Sequence, residues 1–144
     1  MKLHPSVSTF IFLASGIWLI ALGMYFMFLR PPLLPEDLRY METSLAHIQL
    51  IMPGLERWLH RVFAVMGSFI AGAGVLTIFM AVRLSAAQRR LTTSILVLLG
   101  LLTVGTMSVI NFQLDSDFKW LLLIPALLWF VGVAAYIVSS RSDP

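Results

Sequence analysis

Four long apolar runs without a charged residue constrain this chain more than any other feature of its sequence. They cover Val7–Leu29, Val62–Val82, Leu91–Gln113 and Trp120–Ser140, and each contains 21 or 23 residues. About 20 residues of α-helix, rising roughly 1.5 Å per residue, cross the hydrocarbon layer of a bilayer. We therefore predict an all-α integral membrane four-helix bundle, a single domain over residues 1–144, with spans at about 7–29, 62–82, 91–113 and 120–140.

Composition agrees with a multi-pass membrane protein. Hydrophobic residues make up 59% of the chain and charged residues 12%, and the mean hydropathy is +0.91, whereas a soluble domain is about half apolar and about a quarter charged. The absence of cysteine excludes disulfide exchange, thiolate nucleophiles and cysteine-ligated metals. The formal charge of +3 comes from basic residues at the ends of the apolar runs. Because membrane orientation explains that placement, nucleic acid is not an expected partner.

The basic residues also bear on orientation. Five lie on each side of the predicted membrane: Lys2, Arg83, Arg89, Arg90 and Arg141 on one, and Arg30, Arg39, Arg57, Arg61 and Lys119 on the other. The first set lies in short tails and a short loop, where basic residues weigh most, so we predict that both termini are cytoplasmic. The first run is too long for a signal-peptide core and no A-x-A site follows it, so we expect it to remain as a span.

The segment between the first two spans predicts an additional helix. Pro31 and Pro32 end the first helix, and Pro35 with the following acids starts another. Apolar residues then recur at helical spacing on one face: Leu34, Leu38, Met41, Leu45, Ile48 and Met52. This pattern predicts an amphipathic helix over about 35–52 that lies at the outer membrane surface or caps the bundle.

A metal site is one interpretation of the polar residues in this region. Glu56 and His60 are four residues apart, on one helical face, and His47 or Glu42 folded over them would complete a metal site of the two-histidine, one-carboxylate type. The alternative is an interfacial ion pair of His60 with Glu56 and a solvated His47. We predict no catalytic residues, because a Ser/His/Asp set in consecutive turns of one exposed helix lacks an oxyanion hole.

Inside the spans there is no Asp, Glu, Lys, Arg or His, which argues against ion-coupled transport and haem binding. The small residues Ala64, Ser68 and Gly72 recur every four positions and predict a face of close helix packing. In antiparallel spans, a midplane layer would contain Trp18, Gly72, Gly74, Thr103 and Trp129. This layer is either jigsaw packing or the lining of a ligand pocket for a lipid, quinone or apolar pigment.

These observations favour a non-catalytic accessory, assembly or structural subunit of a membrane complex. Its expected partners are membrane lipid and other integral membrane proteins or further copies of itself, and no cofactor is required. The alternatives are binding or transport of a hydrophobic molecule in the midplane layer, and a metal-dependent enzyme acting at the outer surface.

Overall fold

The computed structural model describes residues 7–83 and 89–139. Helix α1 is Val7–Phe28, α2 is Pro35–Tyr40, α3 is Leu45–Ile51, α4 is Leu55–Arg83, α5 is Arg89–Gly100, α6 is Thr106–Gln113 and α7 is Lys119–Ser139. A π-helical turn, Leu101–Gly105, joins α5 to α6. The described ranges contain only helices, turns and loops, which confirms the predicted all-α class.

Four helices are long and apolar enough to cross a membrane: α1, α4, the continuous segment Arg90–Gln113 and α7. We call Arg90–Gln113 the third span. The chain is therefore a multi-pass integral membrane protein with the four predicted spans. Helix α4 begins seven residues before the predicted span, because the turn at Met52–Gly54 leads directly into helical backbone.

The spans pack in the order α4, α1, α7 and third span. The largest interface joins α1 to α4, and α1 also packs on α7, which in turn packs on the third span. Within the part of the chain described, α4 and the third span share no comparable interface. The buried core consequently lies around α7, with Phe12, Leu96, Val104 and Trp129 at most 1% exposed.

The loop between α1 and α4 contains two short helices where the apolar stripe predicts one continuous helix. Glu42, between them, has φ 52°, a left-handed conformation that interrupts a right-handed helix. Ser44 then caps the N-terminus of α3, because its hydroxyl accepts a hydrogen bond from the His47 backbone N–H at 3.2 Å. The left-handed residue and the cap at Ser44 therefore interrupt the single helix that the apolar stripe predicts. Of the six stripe residues, Ile48 is buried, at 5% exposure.

Candidate functional site

Charged side chains collect where α2 and the turn before α7 meet on one side of the membrane. We call this group the polar cap; it consists of Arg30, Glu36, Asp37, Arg39, Asp115, Ser116, Asp117 and Lys119. The two segments are some 80 residues apart in sequence and come together because α1, which precedes α2, packs against α7, which follows the turn.

A buried hydrogen bond forms the centre of the polar cap. The Ser116 hydroxyl donates to Glu36 Oε1 at 2.9 Å, and the two residues are 1% and 7% exposed. The same hydroxyl oxygen accepts the backbone N–H of Phe118 at 3.1 Å, which fixes the turn that starts α7. Ser116 therefore links α2 to α7 through one oxygen atom.

Exposed ion pairs surround this centre. Arg39 Nη2 donates to the Asp115 backbone oxygen at 2.8 Å and lies 3.3 Å from Asp117 Oδ1. Lys119 pairs with the Asp115 carboxylate one helical turn away. The hydrogen bond from Lys119 and its charge, with a smaller contribution from Arg39, hold the pKa of the Asp115 carboxyl below its usual range.

Arg30 connects the polar cap to α4. Its guanidinium lies 3.8 Å from the centre of the Phe63 ring, on α4, and 3.2 Å from Asp37 Oδ2. Its side chain is 10% exposed, so both contacts are largely shielded from water. Asp37 also accepts the Leu34 backbone N–H at 2.8 Å. The cap is thus a set of mutually satisfied charges, and this arrangement positions helices.

The predicted metal ligands are not brought together. Glu56 accepts a hydrogen bond from the Gln49 side chain at 2.7 Å, while His47 and His60 are exposed. Among the residues described, no group of three or more His, Asp or Glu side chains is close enough to hold a metal ion. His60 and Glu56 instead line an open cleft with Pro32, Arg57 and Arg61.

The two tryptophans of the predicted midplane layer have different environments. Trp129 is fully buried; its indole N–H donates to the Leu96 oxygen at 2.9 Å, and its ring meets Phe12 edge-on at a centroid distance of 5.3 Å. Trp18 is 38% exposed and lines a shallow surface cleft with other α1 residues. Their separate positions favour the packing interpretation for Trp129.

The remaining residues of that layer are dispersed as well. Thr103 donates to the Leu99 oxygen of its own helix at 2.6 Å. A Cβ atom on Gly74 would lie 2.7 Å from the Gly16 oxygen, so Gly74 is in backbone contact with α1. No heavy atom lies within 4 Å of the corresponding point on Gly72.

The close helix contact therefore uses a different face from the predicted Ala64, Ser68 and Gly72. Gly67 and Gly74 of α4 pack against Gly23 and Gly16 of α1, where an added Cβ would come within 2.5–2.9 Å of backbone oxygen atoms. Ser68 and Gly72 are exposed, because they lie on the side of α4 that points away from α1. The sequence does contain a pattern that indicates this face: each of the two helices has a pair of glycines seven residues apart, and this spacing places both glycines on the same side of the helix.

In comparisons with known proteins, no protein-family model, no curated protein and no solved structure matches this chain.

Proposed function

We propose that this chain is a non-catalytic accessory subunit that binds another integral membrane protein through one side of α4. The observation that carries the proposal is the uneven burial of the spans. In its most apolar 18-residue stretch, 17% of the α4 residues are buried within the chain, against 22% for the third span, 28% for α1 and 33% for α7. Helix α4 therefore has the smallest share of residues buried by the chain itself, and the side away from α1 is open to a partner.

The surface in question is the outer face of α4, which we define by Val65, Phe69, Gly72, Leu76 and Phe79. Its four large side chains are 49–76% exposed. Gly72 lies between them with open space above its Cα atom. Large side chains flanking a bare stretch of backbone form a groove into which a neighbouring transmembrane helix fits, because small residues allow close helix approach.

The polar cap supports a structural role and gives no support to an enzymatic one. Its charges are engaged with one another across α2 and the turn before α7. Within the described ranges, no buried side-chain nitrogen or oxygen lacks a hydrogen-bond partner. A cap of this kind holds the helix ends in place, so that the spans below present a constant surface.

Site-specific photo-crosslinking in native membranes tests the proposal. Replacing Phe69 with a photoreactive phenylalanine analogue places the probe at the centre of the outer face, where the side chain is 76% exposed. Phe10 of α1 is the matched control, because it is also a phenylalanine and is 60% exposed.

We expect one discrete adduct with a second protein from position 69 and none from position 10. An adduct with the mass of two copies of this chain would replace the accessory role with self-association. Lipid adducts alone, equal at both positions, would contradict the proposal.

A further inference from the structure

An open cleft of about 430 Å³ lies between the start of α4 and the segment that follows α1. Its lining residues are Pro32, Glu56, Arg57, His60 and Arg61. Arg57 and Arg61 are four residues apart on α4, so their guanidinium groups extend from neighbouring turns on one side of the helix. His60 lies beside them.

The basic charges in this cleft are only partly balanced by the protein. Among the described residues, Arg57, His60 and Arg61 have no ion pair or hydrogen bond to another side chain. The other arginines and the lysine that the structure describes on this side of the membrane each have an acidic partner: Arg30 with Asp37, Arg39 with Asp117 and Lys119 with Asp115. The cleft contains one carboxylate, Glu56, which accepts the Gln49 amide, so two arginines face a single acid.

We propose that this cleft binds a phosphate-bearing anion. Guanidinium groups match the geometry of phosphate oxygens with paired N–H donors, and the two adjacent arginines supply more than one such pair. The imidazole of His60 adds a further donor at the same opening. This inference does not depend on the accessory role proposed above.

The position of the cleft relative to the membrane–water boundary indicates the source of that phosphate. Arg61 is the last charged residue before the uncharged stretch Val62–Val82, and Pro32 follows closely on the end of α1. Trp58, in the same helical turn, is 61% exposed, as is typical of an aromatic residue at the membrane–water boundary. A lipid headgroup occupies this level of the bilayer, so the structure favours an anionic phospholipid over a free phosphate.

Native mass spectrometry of the full chain, titrated with phosphatidylglycerol or phosphatidylcholine, tests the proposal. The test variant is the double substitution Arg57→Gln and Arg61→Gln. The control, Arg83→Gln with Arg90→Gln, removes the same charge from the opposite end of the spans. Melting temperatures of both variants establish that they are folded.

We expect the parent to retain phosphatidylglycerol in preference to phosphatidylcholine, the test variant to bind it roughly tenfold more weakly, and the control to match the parent. Competition by millimolar inorganic phosphate distinguishes the two sources. Displacement of the lipid would assign the site to the phosphate group alone, and resistance would assign it to the whole lipid. Equal losses in the two double variants, or no preference between the lipids, would overturn the proposal.

Discussion

Gly67 and Gly72 are five residues apart on α4 and differ in what an added methyl group would meet. At Gly67 a Cβ atom would lie 2.5 Å from the Gly23 backbone oxygen, while at Gly72 nothing lies within 4 Å. Because a backbone atom cannot rotate away, we expect Gly67→Ala to reduce the free energy of unfolding by about 1–3 kcal/mol. Gly72→Ala should change it by less than about 0.5 kcal/mol.

Thermal unfolding of the two variants in one detergent measures this difference, and each serves as the control of the other. If Gly72→Ala were the less stable variant, the contact face between α1 and α4 assigned here would be wrong.

Asp115 and Lys119 give a prediction about pH at the same scale. The pKa of the Asp115 carboxyl is lowered mainly by Lys119, so the charged carboxylate is favoured in the folded protein. Its contribution to stability is complete above the pKa of an unfolded aspartate, about 4. It is lost as the pH falls further, through the lowered folded value.

Carboxyl NMR of selectively labelled aspartate between pH 7 and 2 measures this pKa directly. We expect Lys119→Gln to raise it towards the usual aspartate range, while Asp117→Asn leaves it nearly unchanged. An identical titration of Asp115 in the wild type and in Lys119→Gln would contradict the assignment of Lys119 as the main cause.

At the scale of the element, Ser116 is the residue that holds α2 against the start of α7. Ser116→Ala removes the donor to the buried Glu36 carboxylate, and leaving such an acceptor unsatisfied costs about 1–3 kcal/mol. We expect α2 to detach from the turn and trypsin to cleave faster after Arg39 in vesicle-embedded protein.

The matched control for this experiment is Asp117→Asn, which breaks the exposed pair with Arg39. Pairs of that kind contribute about 0–1 kcal/mol, so its cleavage rate should stay close to that of the wild type. A rate for Ser116→Ala equal to that of the control would show that the buried hydrogen bond does not fasten the cap.

At the scale of the whole molecule, four spans place the loop containing α2 and α3 on the same side as the 114–118 turn. The hydrogen bond between Glu36 and Ser116 requires the same arrangement. The distribution of basic residues further predicts that this side is external. Since the chain has no cysteine, single cysteines report on sidedness without background.

With an impermeant maleimide and intact cells, we expect labelling of Ala46→Cys and Asp117→Cys. Arg83→Cys, at the opposite end of α4, should react only after the membrane is opened. The reverse pattern would show that the orientation prediction is wrong. Labelling of Ala46→Cys and Asp117→Cys from different sides would contradict the membrane topology, in which two spans separate these positions along the chain.

The loop between α1 and α4 shows how far a local pattern determines structure. The start at Pro35 was predictable, because proline and two acids form a typical first helical turn. The break before Ser44 was not, since the apolar stripe runs through it unchanged. A single residue, Glu42, adopts a left-handed conformation there, and Ser44 caps the next helix; the spacing of the apolar residues indicates neither.

The number of spans and their helical structure follow from the amino-acid sequence alone. An uncharged apolar run of about 20 residues must satisfy its backbone hydrogen bonds internally in lipid, and a helix is the form that does so within one segment. The positions of the prolines and charges at the run ends follow from the same physics. No tertiary contact is needed to reach these conclusions.

Which side of each span faces a neighbour depends instead on how the helices pack together. A span that is apolar all round has no polar face to mark its outer side, so Trp18 and Trp129 were equivalent in sequence. Their difference arises because α7 packs between α1 and the third span, which together enclose Trp129. The pairing of Ser116 with Glu36 likewise depends on helices brought together across 80 residues of chain, a relation that no local pattern contains.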